Sequence, residues 1–158
     1  VRNISESFRL LKIRYEGRSP LMTEIREEAE ELYILKLSLQ PVVENAVKHG
    51  LIPKSGEGIV QISASVQERF LEVTVMDDGV GMDEDALRNL QRSLDSDEDP
   101  AYSDGRTHIG IRNTAERLRK SYGAEFGIRI TGVSGFGTVV SLRYPLIRDG
   151  GKEKQEKI

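Results

Sequence analysis

Leu39-Gln40-Pro41-Val42-Val43-Glu44-Asn45-Ala46-Val47-Lys48-His49-Gly50 is the stretch on which the fold turns. Leu39, Val42, Val43, Ala46 and Val47 fall at i, i+3, i+4, i+7 and i+8, the spacing of a helix with one buried face. Ser38 stands where a cap belongs, Pro41 lies in the first turn where a missing N–H costs little, and Gly50 is placed to end the helix. Asn45 and Lys48 point away from the apolar face, so a helix built for burial presents an amide and an ammonium group on its other side.

Downstream, Val60, Ile62, Ala64 and Val66 alternate with polar residues, and Leu71, Val73 and Val75 repeat the pattern across Gln67-Glu68-Arg69, which predicts an antiparallel hairpin. A second hairpin follows from Phe126, Ile128 and Ile130, the Gly135-Phe136-Gly137 turn, and the strand from Thr138 to Tyr144. Between the hairpins, Ile111, Ala115, Leu118 and Tyr122 form a helical stripe. Upstream, Ile4, Phe8, Leu11 and Tyr15 mark a helix ending near Glu16-Gly17, which packs either on this domain's own core or on a partner element; 20–26 suits a short strand, and Glu27, Glu28, Glu30 and Glu31 a solvated turn. Interleaved helices and hairpins predict an α+β fold, a two-layer sandwich with a mixed, mostly antiparallel sheet covered on one face by helices.

A chain of 158 residues suits one domain. Its net charge of −3 offers no general attraction to nucleic acid or to an anionic membrane, and with no cysteine it has neither disulfides nor a thiolate metal site. No apolar stretch approaches the roughly 20 residues of a membrane helix. The start at Val1, without methionine and directly on a helical pattern, is read as that of a fragment of a longer protein. Between Met82 and His108 a short helix, 84–94, gives way to Asp95-Ser96-Asp97-Glu98-Asp99-Pro100, a polar segment of the kind that serves as a lid; 148–158 is expected to be a frayed tail.

Four segments carry the candidate chemistry. Asn45 is either an ordinary exposed asparagine or a neutral oxygen for a magnesium shell otherwise filled by phosphate and water. Lys48, one turn on, suits a phosphate or simple solvation. Asp77-Asp78-Gly79-Val80-Gly81 follows a buried strand, and its glycines permit a tight turn and close approach to a flat ligand; Asp77 there can accept a hydrogen bond from an exocyclic amine such as adenine's, with Met82 against a ring edge, or the segment is a plain turn. Gly110 before a helix leaves free N–H groups for an anion, and Thr138 after the Gly135–Gly137 turn can offer its hydroxyl to the same base or serve as an ordinary strand residue.

Taken in order, these segments resemble a known family. Leu39 to Gly50 resembles the N box of sensor histidine kinases of the LytS/YesM type, within the gyrase, chaperone, histidine kinase and MutL superfamily; Asp77 to Met82 resembles the first glycine box, Ile109-Gly110-Ile111-Arg112-Asn113-Thr114-Ala115-Glu116-Arg117-Leu118 the second, and Gly135-Phe136-Gly137-Thr138 the third. The likeness runs from Ile13 to Leu146. It implies a Bergerat-type ATP-binding fold over 17–147, with 1–16 the end of a linker or dimerisation helix and 83–108 an ATP lid. It implies ATP and Mg2+ as ligands, Asn45 on the metal, Asp77 on the adenine amine, and Lys48, His49, Gly79, Gly81, Met82, His108, Ile109, Gly110 and Thr138 around the nucleotide. Glu44, Asn45 and Lys48 are the implied catalytic residues. The γ-phosphate is expected to pass to a histidine on a separate dimerisation domain preceding Val1, and from there to a response regulator. The parent is expected to be anchored in the cell membrane with this domain cytoplasmic, and the fragment itself to be a monomer that binds no nucleic acid.

Two departures from the family pattern stand out. His108 replaces the usual glycine and is expected either to meet a phosphate or to hold the lid. The acid that activates water in hydrolysing relatives lies four residues before the asparagine, where this chain has Pro41, so slow hydrolysis and useful transfer are expected; Glu44, about 100° around the helix from Asn45, is left as a base or orienting group for the accepting histidine. The competing readings are a serine kinase of the anti-sigma type on the same fold, and a module that binds nucleotide without transfer.

Overall fold

A computed structural model describes residues 1–18, 20–55, 57–96 and 108–148. Five strands form the main sheet in the order β2 (Leu21–Ile25), β4 (Val60–Val66), β5 (Phe70–Asp77), β7 (Gly137–Pro145), β6 (Ile128–Val133). Only β2 and β4 are parallel; the other pairs are antiparallel, with Val60 opposite Asp77 and Asp77 opposite Thr138. The sheet is mixed, as the α+β reading expects. A further two-stranded pair, β1 (Arg2–Asn3) with β3 (Tyr33–Ile34), has no signal in the sequence because two-residue strands are too short to alternate.

Strand alternation selects the core. Val60, Ile62 and Ala64, then Leu71, Val73 and Val75, then Val140, Leu142 and Tyr144 share one buried cluster with residues of all four helices. Helix α1 (Ile4–Tyr15) is capped by the Asn3 side chain and places Ile4, Phe8 and Leu11 in that cluster, so its stripe covers this domain's own core. Helix α3 (Glu84–Asp95) is fixed in the same way through Leu90 and Leu94. Gln91 ties α3 to the edge strand, donating to Ile128 O at 3.0 Å and accepting from Ile130 N at 2.9 Å, and Arg119 of α4 (Ile109–Tyr122) donates to the carbonyls of Leu94 and Ser96 at its end. The rest of the expected lid, 97–107, and the expected tail, 149–158, lie outside the described residues.

The helix of the N box departs from its sequence reading at both ends. Ser38 is not its cap: the Ser38 side chain is buried, donates to Leu35 O at 2.7 Å and shares a 2.6 Å hydrogen bond with the buried Tyr144 hydroxyl. Helix α2 (Gln40–Asn45) is capped at Leu39 with no side-chain bond, and with Pro41 in its first turn it needs one fewer N–H partner. Gly50 does not end the helix either. The chain continues as a π-helical turn, Ala46–Leu51, and a 3-10 turn, Ile52–Lys54, before Ser55 adopts φ +64°. Widening at Ala46 leaves the i, i+3, i+4 pattern readable, with Ala46, Gly50 and Leu51 buried.

Candidate functional site

Asp77 continues the inward alternation of Leu71, Val73 and Val75, and Thr138 continues that of Val140 and Leu142. Because the two are register partners, a carboxylate and a hydroxyl replace apolar side chains at the same end of the core, 5% and 7% exposed respectively. Burial pushes the Asp77 carboxyl above the usual carboxylate range, the N–H groups of Gly79 and Thr138 pull it back, and the neighbouring Asp78 charge raises it further. Asp77 Oδ1 accepts from Gly79 N at 2.9 Å.

The glycines of this corner serve backbone packing. A Cβ on Gly79 would lie 2.3 Å from the Gly50 carbonyl, and one on Gly50 would lie 2.5 Å from Asp77 Oδ1. Gly50 O accepts from Val80 N at 3.1 Å, which pins the turn after β5 to the π-helical turn. Gly50 is therefore a wall of the site, a role the sequence reading missed; its only signal was a second glycine for it to touch. Gly81, at φ +67°, would drive a Cβ to 2.1 Å from Val133 O. Gly79 and Gly81 thus both lie close against neighbouring main chain.

A cavity lined by Asn45, His49, Gly50, Asp77, Gly81, Met82, His108 and Thr138 opens beside the carboxylate. Next to it lies a second, lined by Pro41, Glu44, Asn45, Lys48, His49, His108, Ile109, Gly110 and Ile111. All the residues expected at the metal, around the nucleotide or in catalysis border one or the other except Gly79, whose N–H bonds the Asp77 carboxylate. Gly110 does not precede α4 but is its second residue. His108 is the N-cap, without a capping side-chain bond, so the N–H groups of Ile109, Gly110 and Ile111 have no acceptor from a preceding helical turn, and these three residues border the second cavity.

His108 takes the left-handed backbone, φ +68°, that glycine adopts freely. Its Nδ1 lies 2.5 Å from Asn45 Oδ1, and its ring stands 4.6 Å from that of His49. Burial, with His49 adding to it, pushes the His108 imidazole down to about 4; facing Asn45 Oδ1, an oxygen that only accepts, Nδ1 is the donor of this bond. His49 is lowered too, by burial and by Lys48. Glu44 is steered toward α1: Oε1 accepts from Gln40 Nε2 at 3.1 Å and pairs with Arg14 Nη2 at 3.4 Å.

The donor set suits a hard cation carried in by phosphate. Among the described residues no three His, Asp or Glu side chains converge, and Asn45 offers one neutral oxygen, leaving the other positions to phosphate and water.

Comparison with known proteins gives this geometry a family. Residues 33–148 match the model described as histidine kinase-, DNA gyrase B-, and HSP90-like ATPase. The sensor protein kinase HptS of Staphylococcus aureus (strain bovine RF122 / ET3-1) is 30% identical over 145 residues, 92% of this chain and 27% of its own length, so the chain spans about a quarter of that relative. The catalytic domain of histidine kinase ThkA superposes with a TM-score of 0.66 at 14% identity, covering 93% of this chain and 96% of that one. ThkA in complex with the response regulator protein TrrA gives 0.63 at 16% identity over 94% of this chain and 42% of that one. These two likenesses concern the fold. With the family model covering the N-box helix, both hairpins and the buried Asp77 between them, the chain belongs to the histidine kinase-, DNA gyrase B- and HSP90-like ATPase family.

Proposed function

We propose that this chain binds Mg-ATP in the cleft and donates the γ-phosphate to a histidine on a separate helical domain of the same sensor kinase, which passes it to a response regulator. The observation that carries the reading is the buried Asp77–Thr138 pair across one cavity from Asn45, with Lys48 and the first turn of α4 bordering the next. Asp77 accepts the adenine amine, Thr138 adds its hydroxyl, and Met82 flanks the ring. Asn45 holds the metal, and Lys48 with the N–H groups of Ile109 and Gly110 meets the phosphates. Bound magnesium supplies charge neutralisation at the phosphate oxygens. In the transfer the bond from the γ-phosphorus to its bridging oxygen breaks, a phosphorus–nitrogen bond forms, ADP leaves, and Glu44 takes the imidazole proton. Positioning contributes more than covalent work by the domain.

The likeness to HptS and to ThkA with its response regulator supports this reading, as does Pro41 where a hydrolytic acid would sit. In it, α1 leads from the histidine-bearing domain, and the parent is anchored in the membrane with this domain in the cytoplasm. The 2.5 Å contact from His108 to Asn45 favours a second reading, nucleotide binding without transfer. Incubating the chain and its histidine-bearing domain with γ-labelled Mg-ATP separates the two: acid-labile, base-stable label on the helical domain is the expected result, and nucleotide binding without label would leave the second reading.

A further inference from the structure

The two cavities share one wall. Asn45, His49 and His108 line both, and two of them are joined by the hydrogen bond from His108 Nδ1 to Asn45 Oδ1, with the His49 ring 4.6 Å from that of His108. The cavities measure about 70 and 130 Å3, each well below the roughly 300–1,000 Å3 of a small-molecule site. A nucleotide with its base on Asp77 and its phosphates near Lys48 spans both cavities, and His108 borders both. Nothing in the helix requires the ring to stand there: as N-cap, His108 makes no side-chain cap bond, and its backbone sits in a region that disfavours any side chain.

We propose that His108 is a latch on Asn45 that closes the cleft, and that Mg-ATP binds only by displacing it, so the affinity is set by competition between the His108 N–H and magnesium for one amide oxygen. This deepens the Mg-ATP reading and rests on it. If only the unlatched fraction binds, the apparent affinity is reduced by that fraction, and one net neutral hydrogen bond corresponds to a factor of about three to ten. Among the described residues both histidines of the chain are spent on this wall.

The test titrates the wild-type chain, His108→Gly and His108→Asn with Mg-ATP by calorimetry, and follows ring-to-ring cross-peaks between His49 and His108 in the wild type by NMR. Glycine and asparagine both tolerate φ +68°, and neither carries a ring. Both variants are expected to bind about three to ten times more tightly, and the cross-peaks to vanish at saturation. Unchanged or weaker binding by both variants, or cross-peaks that persist at saturation, would overturn the latch and leave the nucleotide reading standing. Tightening by glycine alone would assign the effect to backbone relief and also overturn it. If none of the three folded proteins binds Mg-ATP, the nucleotide reading itself fails, and the latch with it.

Discussion

Asp77 sits where strand alternation calls for another apolar residue, and the fold bears the cost of a buried carboxylate there. Its folded state holds the proton more tightly than the unfolded chain does. Stability from this group is therefore present below the ordinary carboxylate range and is lost as pH rises through the raised folded value, so at neutral pH the ionised group is a net cost. Asp77→Asn keeps an oxygen for Gly79 N and removes the charge; thermal melts at pH 7 should show the variant more stable by on the order of 1 kcal/mol, with the difference shrinking toward pH 4. Gly79 shows the opposite economy. Because its missing Cβ leaves room for the Gly50 carbonyl, Gly79→Ala should cost about 1–3 kcal/mol in urea unfolding, the penalty of overpacking. Equal stability of Gly79→Ala and wild type would mean that the turn after β5 is free to shift.

At the scale of elements, two attachments hold the cleft in shape. The Ser38–Tyr144 bond joins the entrance of α2 to the interior strand β7, and burial pushes the Tyr144 hydroxyl up, keeping it a neutral donor. Ser38→Ala leaves that hydroxyl without this partner and should cost about 1–3 kcal/mol, while adding Tyr144→Phe to it should recover part of the loss; strictly additive losses would deny the coupling. Helix α3 is the second attachment. With Leu94 1% exposed, Leu94→Ala should destabilise the domain by about 2–5 kcal/mol, and hydrogen exchange should show α3 amides as protected as those of α4. Fast exchange throughout α3 would place the helix outside the cooperative core.

Across the whole molecule, what could be read from the sequence was what repeats: period-two alternation gave β4 to β7, and the three-and-four spacing gave α1 and α4 within a residue or two and α2 with its far end misplaced. The site was readable as four separated segments because each combines a polar group with a turn or helix end. What could not be read is what depends on pairs distant in sequence. The role of Ser38 is decided by Tyr144, that of Gly50 by Gly79, and that of His108 by Asn45, 63 residues away; no local pattern encodes these contacts. The π-helical turn escaped for another reason, since one widened turn leaves the apolar face nearly in phase. The central claim, a Mg-ATP site built on Asp77 and Asn45, is tested most directly by calorimetric titration of the chain with Mg-ATP beside Asp77→Asn. The account predicts magnesium-dependent binding in the micromolar to millimolar range, weakened about tenfold or more in the variant, the loss expected for a hydrogen bond to a charged acceptor. A folded wild-type chain that releases no heat of binding, or a variant that binds as tightly as the wild type, would contradict it.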